Sequence, residues 1–221
     1  MNYLFLTKTP LFNGIKENEI KSVLSCLGAY EKKFKKSETI FRTGDTVSDM
    51  GLVLTGSVNI TVTDYNGTST IFSHISKGQL FAEAYAVIPK REILCDVVCA
   101  EDAEVLFINA DRLFSVCQNA CSYHTKIIRN LVRISAQKNI NLSVRMIHTA
   151  SKRTRSRLLS YFSEQSAISG SNRFTIPFSR QQLADYLGVE RSAMSGELSK
   201  MKRDGIIDYH KNSFVLFKNE I

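Results

Sequence analysis

The sequence predicts an α+β protein: a β-rich N-terminal half, one long helix, and a C-terminal winged helix-turn-helix. Three observations carry this. Short β-prone runs broken by Gly, Asp and Asn follow one another from Tyr30 to Ile108. The stretch from Ala120 to His148 then holds no Pro or Gly. Last, Phe178 to Gly205 has the marks of two short helices joined by a tight turn.

In chain order, Leu11 to Ile15 leads into a helix over Glu17 to Leu27, where Ile20, Val23, Leu24 and Leu27 share a face. The runs that follow are Tyr30–Phe34, Glu38–Phe41, Met50–Leu54, Ser57–Thr63, Thr68–Ile75, Ile93–Ala100 and Glu104–Ile108. Turns fall at Gly44-Asp45, Thr55-Gly56, Asn66-Gly67 and Lys77-Gly78, with Asn66-Gly67 suited to a type I′ hairpin. Such spacing suggests a sandwich or barrel. In the long helix, Ile127, Ile128, Leu131, Val132, Ile134, Ile140, Leu142, Val144 and Ile147 put apolar groups on more than one side, which requires more than one neighbour. Thr149-Ala150-Ser151 reads as a hinge before a helix from Lys152 to Phe162. Its Arg153, Arg155 and Arg157 are phosphate contacts or a solvated cationic face.

Ser179 and Gln182 form a capping box that starts a helix at Arg180. Leu183, Ala184 and Leu187 supply its apolar stripe, Gly188 the left-handed turn, and Val189 the corner. A second helix begins near Arg191 and ends by Gly205. Met194, Leu198 and Met201 face inward; Arg191, Ser192, Ser195, Ser199 and Lys202 face outward. Ile206–His210 and Phe214–Phe217, around a Lys211-Asn212-Ser213 turn, make a hairpin, with a short strand at Phe174–Ile176. A small, polar, partly basic helix face suits the major groove, where short side chains let the backbone come close.

Composition agrees. The 221 residues carry a formal charge of +8 and a pI near 9.3, which favours a polyanionic partner. No run of apolar residues is long enough to span a membrane and no signal peptide is evident, so a cytoplasmic location is expected. The five cysteines, Cys26, Cys95, Cys99, Cys117 and Cys121, read as free thiols. Neither a Ser/His/Asp set nor a Gly-rich phosphate loop stands above chance, which argues against an enzyme.

The C-terminal motif resembles that of the CRP/FNR family of bacterial transcription regulators. It is carried by Arg180-Gln181-Gln182-Leu183-Ala184, Leu187-Gly188, Arg191 to Leu198 and Gly205-Ile206-Ile207. The N-terminal half resembles the family's double-stranded β-roll, shared with cyclic-nucleotide-binding domains. The carrying residues are Ile40 to Asp45, Leu52 to Val58, Gly78 to Glu83 and Ala100 to Leu106. The resemblance covers nearly the whole chain. It implies a jelly-roll-like sensor domain over 1–119, a dimerisation helix over 120–148 and a DNA-binding domain over 149–221. It also implies a homodimer on near-palindromic double-stranded DNA, RNA polymerase as a partner, and a small-molecule effector that repositions the recognition helices. Ser179, Arg180, Gln181, Arg191, Ser192, Ser195, Ser199 and Lys202 are the expected DNA contacts. The recognition helix departs from the family where Ser192 replaces a base-reading Glu and Gly196 a second Arg.

The expected effector pocket is Phe81, Ala82, Glu83, Leu94 and Cys95, with Ile127 and Ile128 of the long helix. In cyclic-AMP-binding relatives a Gly-Glu pair holds the ribose and an Arg-Ser pair the phosphate. Here these become Ala82-Glu83 and Leu94-Cys95, and an unpaired buried phosphate is costly, which argues against cyclic AMP. Lys90 and Arg91 lie just upstream and would serve if the loop were shorter. Oxygen-sensing relatives hold an iron–sulfur cluster near the N-terminus, where only Cys26 stands, so no cofactor is required by the sequence. Two alternatives stay open: redox, haem or metal sensing through Cys117, Cys121 and His124, which share a helical face, and a ligand-sensing module acting through a protein partner.

Overall fold

The computed structural model describes residues 2–67, 69–115 and 122–217. The chain divides into two units, Met1–Ala136 and Gln137–Ile221.

In the first unit, helices α1 (Tyr3–Thr7) and α2 (Glu17–Cys26) precede β1 (Tyr30–Phe34), β2 (Thr39–Phe41), β3 (Asp49–Thr55), β4 (Ser57–Thr63), β5 (Ser69–Ser76) and β6 (Leu80–Phe81). Helix α3 (Glu83–Ala86), β7 (Asp96–Cys99), β8 (Ala103–Asn109) and α4 (Ala110–Phe114) follow, and then α5 (Ser122–Thr149), whose residues from Gln137 on belong to the second unit. Two four-stranded antiparallel sheets form, in the orders β1-β8-β3-β6 and β2-β7-β4-β5.

The first sheet is apolar on both faces, which is why β3 and β8 read as unbroken hydrophobic runs. Val53, Val105 and Phe107 point one way, into a core shared with Val58, Ile75, Val97 and Cys99 of the second sheet. Met50, Leu52, Leu54, Leu106 and Ile108 point the other way, into a layer with Leu6, Ile20, Val23, Leu24, Leu113, Ile127 and Leu131. Gly51 lets β3 approach β6: a Cβ there would fall 2.1 Å from the Phe81 ring.

Several elements differ from expectation. Asn66-Gly67 is not a type I′ turn, because only Gly67 has positive φ (81°). The Asp64 carboxylate accepts the Asn66 N–H at 2.8 Å and holds Asn66 in the ordinary region. The strand expected from Ile93 starts at Asp96. Ile93 instead exchanges backbone hydrogen bonds with Gly44 and Asp45, both 2.8 Å, as a loop tie.

In the second unit, α6 (Thr154–Ser169) runs past the expected end at Phe162, since nothing breaks it before Gly170 (φ 62°). Then come β9 (Arg173–Thr175), α7 (Arg180–Leu187), α8 (Arg191–Arg203), β10 (Ile207–His210) and β11 (Ser213–Leu216). The three strands pair in the order β10-β11-β9. Leu158, Phe162, Phe174, Leu183, Leu187, Met194, Leu198, Met201 and Phe214 form the core of this unit. The wing turn places its left-handed residue at Lys211 (φ 51°), so Ser213 joins the strand.

Candidate nucleic-acid interface

The two helices of the candidate interface are fixed from their ends. Ser179 accepts the Gln182 N–H at 3.3 Å while Gln182 accepts the Ser179 N–H at 2.8 Å, so the capping box reads as the sequence implies. Gly188 caps α7 with φ 63°. Beneath that turn Arg157 donates to the carbonyls of Leu187 and Gly188, both at 2.8 Å, and to that of Ser151 at 2.6 Å. The carbonyls of Leu187 and Gly188 are of the kind a helix end leaves unpaired. Arg157 is therefore a clamp on the turn, and Arg155 bonds Glu197 at 2.5 Å and Asp204 at 2.8 Å, joining α6 to α8.

On α8, Met194, Leu198 and Met201 are buried as the periodicity requires. Arg191, Ser192, Ser199 and Lys202 are exposed and Ser195 is half-buried. Ser199 donates its hydroxyl to the Ser195 carbonyl at 3.0 Å. Gly196 is exposed, and a Cβ there would meet nothing within 4 Å. Lys202 pairs with Asp208 of the wing at 2.5 Å, which raises the lysine pKa and lowers that of the aspartate.

Arg180 and Gln181 are partly committed within the fold. The Arg180 guanidinium lies over the rings of Tyr209 and Phe214, 4.8 and 5.0 Å from their centroids, and donates to the Lys211 carbonyl at 3.1 Å. Burial there pulls its pKa down. Gln181 donates to Asp185 at 2.8 Å. Arg191 and Ser192 stand at the open first turn of α8, and Ser195 and Ser199 continue the same side.

One participant is invisible to motif reading. Glu190 caps α8, its carboxylate accepting the backbone N–H of Ser192 at 2.8 Å and of Ala193 at 2.7 Å, as well as the Ser192 hydroxyl. These bonds hold the Glu190 pKa below the usual carboxylate value. Caps are usually Ser, Thr, Asp or Asn, so the only signal in the sequence is a carboxylate two positions ahead of a serine.

The expected effector residues occupy different surroundings. Phe81 belongs to the core between the sheets, with its ring 6.1 Å from that of Phe41, and Ala82 packs beside that core with left-handed backbone (φ 60°). Ile127 and Ile128 belong to the outer layer of the first sheet. Glu83 is buried at the start of α3, whereas Leu94 is 60% exposed. Cys95 is half-buried, its thiol pushed up by burial and by Asp96 and drawn back by a hydrogen bond with Tyr85. A cavity of about 320 Å³ opens elsewhere on the β-roll, between Lys33, Phe34, Lys35, Thr55, Asp102, Ala103 and Glu104. There Lys35 is bonded to Asp102 at 2.8 Å. Cys117 and Cys121 lie outside the described residues. His124 is buried, and among the described residues neither ring nitrogen has a hydrogen-bond partner.

No helix among the described residues is long and apolar enough to cross a membrane. The cyclic nucleotide-binding domain family matches residues 31–120, and the Crp-like helix-turn-helix domain family matches residues 150–219. The CRP-like protein Clp of Xanthomonas campestris is 22% identical over 203 residues, covering 86% of this chain and 84% of that protein. The solved structure of the c-di-GMP responsive global regulator CLP from Xanthomonas campestris superposes with a TM-score of 0.60 at 18% identity, covering 92% of this chain and 100% of that one. The catabolite activator protein of Thermus thermophilus does so with a TM-score of 0.53 at 21% identity, covering 95% and 94%. A β-roll and a winged helix-turn-helix in this order, each matched by its domain family, with a long helix between them, mean that the chain belongs to the CRP/FNR family of DNA-binding transcription regulators.

Proposed function

We propose that the protein is a homodimeric regulator that reads a near-palindromic DNA site with the outer face of α8 and is controlled by an effector of its β-roll other than cyclic AMP. The observation that carries the DNA reading is that face: Arg191, Ser192, Ser195, Gly196 and Ser199 form a small, polar surface over a fully buried Met194/Leu198/Met201 stripe. Arg191 is the exposed cation at its leading end.

Dimerisation is supported by α5. Val132, Ile140 and Ile147 recur at steps of eight and seven residues and are 61%, 56% and 66% exposed, while Ile127 and Leu131 are buried in the first unit. Apolar groups left in water at coiled-coil-like spacing favour pairing with the same helix of a second copy. The resemblance further makes RNA polymerase a partner on the promoter. A buried cyclic phosphate needs a cation, and Phe81, Ala82, Glu83, Leu94 and Cys95 bring none.

The test is DNA binding by Arg191→Ala. Expected is loss of affinity and of sequence preference, with discrimination falling by about 1–3 kcal/mol. Wild-type affinity should also fall with a log–log salt slope of about 0.9 for each phosphate contacted. If affinity and preference both survive the substitution, α8 does not read the DNA.

A further inference from the structure

A serine hydroxyl ordinarily pairs with any base edge, because it carries one donor proton and two lone pairs. Ser192 has lost that choice. Its hydroxyl donates to Glu190 Oε2, so only lone pairs remain to face outward. Glu190 is likewise acceptor-only: Oε1 takes the Ser192 backbone N–H and Oε2 the Ala193 backbone N–H together with the Ser192 hydroxyl. An ionised carboxylate offers about four lone-pair positions, which leaves one free. Its lowered pKa keeps it ionised at neutral pH. Both side chains are exposed at the leading end of α8. Recognition helices place these N-terminal residues against base edges.

In the major groove the donors are the amino groups of adenine (N6) and cytosine (N4), while guanine O6 and N7 and thymine O4 accept. An acceptor-only turn pairs with the first group and is repelled by the second. We infer that Glu190 and Ser192 act as one specificity-determining pair that selects cytosine or adenine over guanine or thymine on the strand facing the first turn of α8. This inference rests on the proposed placement of α8 on DNA. Arg191, a donor-only group between them in sequence, takes the opposite preference.

The experiment is selection from random duplex DNA by the full-length protein and by Glu190→Gln, Ser192→Ala and Arg191→Ala, with the enriched sequences read out. In the wild-type half-site one position is expected to favour cytosine or adenine over guanine or thymine by roughly 10-fold. In Glu190→Gln the new amide nitrogen donates and the Ser192 proton is released, so that position admits guanine or thymine while the others hold. Ser192→Ala keeps the anion and weakens the same position without reversing it, a second readout should Glu190→Gln fold poorly. An unchanged consensus in both variants overturns the pair. Arg191→Ala separates the two ideas. If it abolishes the consensus while Glu190→Gln and Ser192→Ala leave it intact, only the acceptor pair fails. If it also leaves the consensus intact, or no protein enriches a sequence, the placement of α8 fails and the pair with it.

Discussion

His148 Nδ1 lies 2.9 Å from the Tyr186 hydroxyl, and this bond joins the last turn of α5 to α7. The imidazole is buried, its Nε2 is 3.2 Å from Glu164 of α6, and its ring meets Tyr161 edge-on at 5.5 Å. Arg145, one turn earlier, donates to the carbonyls of Tyr186 and Asp185, both at 3.0 Å, and lies over the Tyr186 ring. Burial lowers the His148 pKa, and Glu164 opposes it. A lowered folded pKa means that the unfolded chain binds the proton more readily. The stability is therefore complete above the ordinary histidine value of about 6.5 and is lost as the pH falls through the folded one. Chemical denaturation from pH 8 to pH 5 should show this decline in the wild type and a shallower one in His148→Gln. Equal slopes would remove His148 as the cause.

Arg157 should matter more to stability than its place in a basic helix suggests. It pairs with three carbonyls, two of them at the end of α7. Hydrogen bonds from a charged donor are worth about 1.5–3 kcal/mol, so Arg157→Ala should cost the C-terminal unit at least about 2 kcal/mol. Arg157→Lys should recover little, since an ammonium cannot span the same fork of carbonyls. Urea denaturation measures both. A neutral Arg157→Ala would return this residue to the solvated cationic face.

What was legible in the sequence was whatever repeats with a period or closes locally. The Ser179–Gln182 box, the left-handed Gly188 and the Met194/Leu198/Met201 stripe each depend on residues a few positions apart, and the structure has them as read. Arg157 and Arg155 read as phosphate contacts or a solvated cationic face because sequence shows a charge but not its partner, here 30 and 42 residues away. The His148–Tyr186–Glu164 cluster was missed for the same reason, whereas the Glu190 cap closes locally and was missed because Glu is not among the usual capping residues. The effector residues were aligned through a loop, and the sequence did not show their burial: Phe81 lies in one core, Ile127 in another, and Leu94 is exposed.

Cys99 should be the slowest of the described thiols to react. Burial, with Glu38 and Asp102 adding to it, pushes its pKa to about 11, so little thiolate exists at neutral pH. Alkylation of the folded protein at pH 8, followed by peptide mapping, should label Cys26 before Cys99, as Cys26 is half-buried. Prompt labelling of Cys99 would mean that the core between the sheets opens readily.

Gly196 makes stability and DNA affinity move in opposite directions. It lies inside α8, where glycine costs about 1 kcal/mol relative to alanine through lost backbone freedom. Among the described residues the space around it is open, so no packing there requires the missing side chain. Gly196→Ala should therefore stabilise the C-terminal unit by about 0.5–1 kcal/mol in urea denaturation. Gly196 also follows Ser192 by four residues and precedes Ser199 by three, so it shares their face of the helix. If that face meets the groove at close range, the added methyl falls between the helix backbone and DNA, and the variant binds its site more weakly although it is more stable. Affinity measured by titration with the selected duplex decides the matter. A variant that is both more stable and equally tight would show that α8 does not approach DNA closely at Gly196, and the contacts would then have to come from the residues of its leading end.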